Sequence, residues 1–126
     1  MRLNHLDLHS PVVTETATFF IEHLGFTLVE TRGKDAFYRL ADDAGMVLVI
    51  SPPIAKLGGG DQVSLGLQTY HIGFLLPERL AVEDAYRRIL PSGIRITEPE
   101  ERHGAYVFYM VIPGNILVEI GHRPDA

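Results

Sequence analysis

One pattern occurs twice along this chain, and that doubling limits the available folds more than any other feature. A strand-like run opens each copy: Leu3-Asn4-His5-Leu6-Asp7-Leu8 in the first, Tyr70-His71-Ile72-Gly73-Phe74 in the second. In the first copy Ser10-Pro11 predicts a helix start, with Ser10 as the cap and Pro11 at the first helical position. Ala17, Phe20, Ile21 and Leu24 follow at helical spacing, and Gly25 ends the helix. Strands are then expected over 26–31, 36–40 and 46–50, separated by the turn residues Gly33-Lys34 and Asp42-Asp43-Ala44-Gly45. In the second copy Val82, Ala85, Tyr86 and Ile89 mark an amphipathic helix that ends before Pro91-Ser92-Gly93. Strands are expected over 94–97, 106–111 and 116–120.

The order is strand, helix, three strands in both halves, and the copies are offset by about 66 positions, from His5 to His71. That period is too long for a solenoid repeat and fits two copies of one supersecondary unit facing each other. The expected fold class is α+β, built from two tandem βαβββ modules. Module 1 spans about 1–51, a linker about 52–68, and module 2 about 69–123. Two prolines, Pro52-Pro53, and three glycines, Gly58-Gly59-Gly60, mark the linker. It reads as a plain connector, or alternatively as a mobile cover over a site.

Composition removes several functions. The 126 residues include no cysteine, so disulfides, thiolate metal sites and cysteine nucleophiles are excluded. The formal net charge of −5 gives no electrostatic footprint for nucleic acid. No apolar run approaches the roughly 18 residues of a membrane span. The first residues enter strand pattern directly, without a signal-peptide apolar stretch. A cytoplasmic location is the expectation.

Three residues carry the chemistry. His5, His71 and Glu119 each sit on a short strand-like run with apolar neighbours at alternate positions. Two imidazoles and one carboxylate form the set that holds a divalent metal on one side and leaves coordination positions open. A buried carboxylate such as Glu119 must be paired, neutralised or coordinated. The donors suit Fe2+, Mn2+, Zn2+ and Ni2+. Around them, Asp7 and His9 share the face of His5, and Asp7 is a candidate for orienting a ligand. His9 reads as lying where the strand meets solvent. His23 closes a helix, where a cation suits the dipole. His122 stands at an odd offset from Glu119 and should face away. Arg102 and Arg123 could bind an anionic substrate or serve as ordinary surface arginines.

The same residues resemble a known family. Leu3 to Leu8 is similar to the opening strand of the vicinal oxygen chelate superfamily, Phe19-Phe20-Ile21-Glu22-His23-Leu24-Gly25-Phe26 to its helix end, and Pro113-Gly114-Asn115-Ile116-Leu117-Val118-Glu119 to its closing turn and ligand strand. That group includes glyoxalase I, extradiol dioxygenases, fosfomycin-resistance transferases, methylmalonyl-CoA epimerase and bleomycin-binding proteins. The resemblance implies curved mixed sheets around a metal cleft, with His5, His71 and Glu119 as ligands and Fe2+ or Mn2+ favoured. Glyoxalase I and the epimerase carry a fourth ligand on the last strand of the first module. Here that strand, Met46-Val47-Leu48-Val49-Ile50, is apolar.

Glu101-Arg102-His103-Gly104 and Tyr109 resemble an extradiol-dioxygenase segment whose histidine and tyrosine reach the substrate, which makes Tyr109 and His103 the candidate catalytic residues. No histidine occurs between Ile50 and Tyr70, where those enzymes place their acid–base histidine. The resemblance implies a metal-dependent, extradiol-dioxygenase-like enzyme acting on a small oxygen-bearing substrate. The alternatives are a transferase, isomerase or lyase of the same group, or a non-catalytic drug- or metabolite-binding protein. It also implies a homodimer with shared sites, His5 coming from one subunit and His71 with Glu119 from the other.

Overall fold

Alternating apolar side chains build two separate sheets, each backed by one helix. The computed structural model describes residues 1–34, 36–53 and 70–125. The chain divides into two units, Met1–Ser64 and Leu65–Ala126, and the division falls inside the expected linker. Most of that linker, including the three glycines and the expected cover, lies outside the described residues.

Unit 1 runs β1 (His5–His9), α1 (Val13–His23), β2 (Thr27–Arg32), β3 (Phe37–Ala41) and β4 (Val47–Ser51). The sheet order is β1-β4-β3-β2, with β1 parallel to β4 and the other pairs antiparallel. One face carries Tyr38, Leu40, Leu48 and Ile50, all buried. Tyr38 donates its hydroxyl to Thr14 of α1, which identifies this as the helix-covered face. Thr16, Ala17, Phe19 and Phe20 are the buried residues of α1, and Phe20 meets Phe26 edge-on at 5.5 Å. Each fully buried Leu, Ile or Phe contributes about 1.5–3 kcal/mol through the area it removes from water.

The start of α1 differs from expectation. Ser10 does not cap it, and the helix begins at Val13 rather than Pro11. The cause is that Ser10, just past β1, extends the strand pairing by one bond: its N–H donates to the Ser51 carbonyl at 2.8 Å. Its hydroxyl oxygen accepts the Val12 N–H at 3.0 Å and lies 2.7 Å from the Thr16 hydroxyl. Thr16 gives its only proton to the Val12 carbonyl, so Ser10 donates to Thr16. Ser10 therefore ties the strand-to-helix corner from a fully buried position.

Unit 2 runs β5 (Ile72–Leu75), α2 (Arg79–Ile89), a short 3-10 turn (Leu90–Ser92), β6 (Arg95–Ile96), β7 (Glu100–Arg102), β8 (Ala105–Ile112) and β9 (Ile116–His122). The order is β5-β9-β8-β6, with β7 also paired to β8 and β5 parallel to β9. Tyr106, Phe108, Met110 and Ile112 share the face that meets α2. Phe108 lies 5.7 Å from the Tyr86 ring, and Tyr106 donates its hydroxyl to Glu83 at 3.1 Å.

Strand β7 was not expected. Glu100-Glu101-Arg102 has no apolar alternation to announce it. It forms because His103 and Gly104 both take left-handed backbone angles, φ 51° and 78°, and so close a two-residue hairpin onto β8. Turns with positive φ at both central residues match the natural twist of paired strands. The architecture is α+β, two mixed sheets with one helix each, as the doubled pattern indicated.

Candidate functional site

Register decides which side chains share the face of each sheet turned away from its helix. In unit 2, Tyr109 pairs directly with Glu119 across β8 and β9, and Glu119 pairs with Gly73 of β5. His71 lies two residues before Gly73, so the strand period puts it on the same face. The result is a cluster: the His71 Nε2 is 3.2 Å from the Glu119 Oε2, and the His71 and Tyr109 rings meet edge-on at 6.1 Å. The Glu119 side chain is 14% exposed and that of His71 30%. Gly73 adds no side chain, and Leu75 is 55% exposed, so this end of the sheet face is open.

Tyr109 is held protonated. Burial raises its pKa above the usual phenol value, and the neighbouring Glu119 charge and a hydrogen bond to Glu119 raise it further. Arg102 opposes the shift through its charge and a hydrogen bond of its own. The Arg102 guanidinium lies 5.7 Å from the centre of the Tyr109 ring. At neutral pH Tyr109 is therefore a hydrogen-bond donor beside a carboxylate.

His71 and Glu119 fit a shared cation. Two ligands bound at right angles to one ion, with bonds of about 2.1 Å, stand about 3 Å apart. The gap between the His71 nitrogen and the Glu119 oxygen is close to that value. One chain supplies two donors this way; among the described residues no group of three or more His, Asp or Glu side chains converges.

The remaining expected residues lie as follows. His5 is exposed on β1 of unit 1, and its Nδ1 lies 2.9 Å from the Asn4 Oδ1. Donation from Nδ1 leaves Nε2 as the nitrogen with a lone pair. Asp7 accepts a 2.6 Å hydrogen bond from the Ser51 hydroxyl on the His5 face. His103 occupies the β7–β8 turn and is exposed. His122 faces away from Glu119, its Nδ1 3.2 Å from the Leu76 carbonyl. His23 packs against Phe19 with ring centres 4.5 Å apart.

A cleft of about 560 Å³ adjoins Tyr109 in unit 2. Its walls include Arg95, Thr97, Arg102 and Tyr109, and Val111 and Leu117 give it an apolar floor. The strand expected over 94–97 held Arg95 and Thr97, but sequence reading gave neither a role in a site. The one available signal was their position just before the expected tyrosine strand.

The sequence itself matches a family model over most of its length. The model of the Glyoxalase/Bleomycin resistance protein/Dioxygenase superfamily matches residues 2–120. The chain belongs to that superfamily. Solved structures agree on the fold. A possible glyoxalase from Bacillus cereus is 28% identical, with a TM-score of 0.78 over 95% of this chain and 97% of its own. A lactoylglutathione lyase from Agrobacterium tumefaciens is 15% identical, with a TM-score of 0.73 over 96% of this chain and 92% of its own. An antibiotic-binding protein from a Streptomyces species is 14% identical, with a TM-score of 0.71 over 98% and 96%. The last two likenesses are of fold alone. No curated protein matches in sequence. One fold thus occurs in proteins described as a lyase and as an antibiotic-binding protein, and function has to be argued from the site. Among the described residues of this superfamily member, no helix is long and apolar enough to cross a membrane.

Proposed function

We propose that this protein is a metal-dependent enzyme acting on a small oxygen-bearing substrate, with extradiol-dioxygenase-like chemistry. The observation that carries the reading is the approach of the His71 Nε2 and the Glu119 Oε2 to 3.2 Å beside the protonated Tyr109 hydroxyl. His71 and Glu119 would hold Fe2+ or Mn2+, with Zn2+ and Ni2+ also suited to the donors. His5 from a second copy of the chain would complete the set in a two-fold symmetric homodimer. Bound there, the cation would polarise two neighbouring substrate oxygens.

The chain's own groups do the rest. Tyr109 donates a hydrogen bond to a substrate oxygen and can move a proton at that atom. Arg102 holds the phenol in place through the ring and hydroxyl contacts already described. His103 is proposed to assist proton transfer from the turn that follows Arg102.

The test is elemental analysis of protein purified without added metal, followed by oxygen uptake with Fe2+ and a panel of catechols. The proposal expects a retained divalent cation and a yellow ring-fission product. Retained metal without oxygen uptake removes the dioxygenase chemistry and leaves the transferase, isomerase or lyase alternatives. A second reading is a binding protein, favoured by a cleft of small-molecule size with an apolar floor. It gains if chelation leaves ligand affinity unchanged.

A further inference from the structure

We propose that the cleft beside Tyr109 selects an organic anion, with Arg95 receiving a carboxylate or phosphonate head and the apolar floor receiving the body of the molecule. The inference names the substrate class of the site proposed above and rests on the reading of that cleft as the substrate cleft.

The argument begins with charge. The chain as a whole is acidic, with 16 Asp and Glu against 11 Lys and Arg. The cleft inverts that balance: among the described residues its lining includes two arginines and no carboxylate. The two are not equivalent. Arg102 is committed, its Nε 3.5 Å from the Glu100 carboxylate and its guanidinium beside Tyr109. Arg95 has no carboxylate within 4 Å among the described residues.

Position and shape then narrow the ligand. Arg95 pairs across the sheet with Val111, two residues from Tyr109 on the same face. A guanidinium fork matches the two oxygens of a carboxylate or phosphonate. Thr97 stands beside it and adds a donor. Its oxygen already accepts the Tyr109 N–H at 2.9 Å, so its own proton is available to an acceptor in the cleft. A volume of about 560 Å³ matches a small molecule rather than a polymer. Val111 and Leu117 offer apolar surface to the rest of the ligand.

The probes are phenylacetate, phenylphosphonate and the neutral phenylacetamide, titrated into chelator-treated protein by NMR or calorimetry. Metal-free protein ensures that no cation holds the anion. At least one anion should bind about tenfold to a hundredfold more tightly than the amide, the range expected for a hydrogen bond to a charged group. The tighter anion identifies the head group. Arg95→Gln should bring anion affinity down to the level of the amide, and Arg95→Lys should restore part of it. Arg95 is exposed, so the variants should fold, which circular dichroism checks. Equal binding of anion and amide, no binding of any probe, or an anion preference that survives Arg95→Gln would overturn the proposal. His71→Ala separates the two readings. It should abolish metal retention while sparing anion selectivity in the chelated protein. Failure of one readout therefore leaves the other standing.

Discussion

Two equivalent rows of residues, one in each unit, show how a repeated fold can be settled in one copy and poised in the other. In unit 1 the row across β1, β4 and β3 is Asp7, Val49, Arg39. In unit 2 the row across β5, β9 and β8 is Gly73, Glu119, Tyr109. Each row has a histidine two residues upstream of its first member, His5 on β1 or His71 just before β5. In unit 1 Ser51 donates to Asp7 at 2.6 Å and the Arg39 Nη2 reaches Glu30 at 3.1 Å, while the Arg39 Nε is buried without a partner among the described residues. In unit 2 the carboxylate has moved to the central strand, its neighbour on the first strand has become glycine, and a tyrosine has replaced the arginine. Glu119 faces His71 and a phenol, where Asp7 faces the Ser51 hydroxyl. A hydroxyl donor satisfies Asp7 in unit 1, whereas Glu119 meets an imidazole nitrogen, a donor type that also ligates metals.

The largest effect expected from this contrast is on metal retention. His71→Ala or Glu119→Gln should lower the affinity for Mn2+ by about a hundredfold or more, since each would remove a proposed direct ligand and even an indirect partner is worth 10–100-fold. Asp7→Asn, the change at the corresponding row of unit 1, should move affinity far less. Equal losses from Asp7→Asn and Glu119→Gln, read by competition with a chelating dye, would erase the distinction between the rows.

Stability should treat the two units alike where their cores are alike. Phe20 and Phe108 are both fully buried, one on α1 and one on β8 against α2. Phe20→Ala and Phe108→Ala should each cost about 3–5 kcal/mol in denaturant unfolding. A loss below about 1 kcal/mol at either site would show that its sheet is not the packed core described.

A smaller effect separates the last strands. Ser51 ends β4, but the position two residues past Glu119, which corresponds to it, is Gly121. A Cβ at Gly121 would meet the Val107 Cγ1 at 2.5 Å and the Tyr106 carbonyl at 3.3 Å. Importing the unit 1 residue as Gly121→Ser should cost about 1–3 kcal/mol by overpacking. Val107→Ala in the same chain should recover part of the loss. Additive losses in the double variant would reject steric conflict as the cause.

The doubled pattern made most of this legible before any coordinates. Helices and long strands follow from apolar period, and the register of β9 with β5 inside unit 2 places Glu119 beside His71. What the residues did not announce were features set by backbone geometry or by very short elements. The His103-Gly104 hairpin turn created β7 from three charged residues. Ser10 carries the composition of a cap, yet the strand ladder holds it. The strand over 94–97 was expected, but that pairing with β8 would set Arg95 and Thr97 in the wall of a cleft was not.

The smallest expected effect is alkaline and belongs to unit 2. Burial raises the pKa of Tyr106, with the Glu83 hydrogen bond and charge adding to it and Arg79 opposing. The neutral phenol is thus favoured in the folded state. Its contribution is fully present below the unfolded pKa of about 10 and is lost as pH rises through the higher folded value. Tyr106→Phe should flatten the fall in stability above about pH 10 relative to the parent chain. An identical alkaline slope in the two proteins would contradict the assignment.

The central claim is that His71 and Glu119 grip one divalent cation. Anomalous diffraction at the manganese edge, on crystals grown with Mn2+, tests it directly. The account predicts a peak about 2.1 Å from both the His71 Nε2 and the Glu119 Oε2, with His5 of a second copy as the third ligand. Manganese bound elsewhere, or a His71–Glu119 hydrogen bond that persists in crystals saturated with the ion, would contradict it.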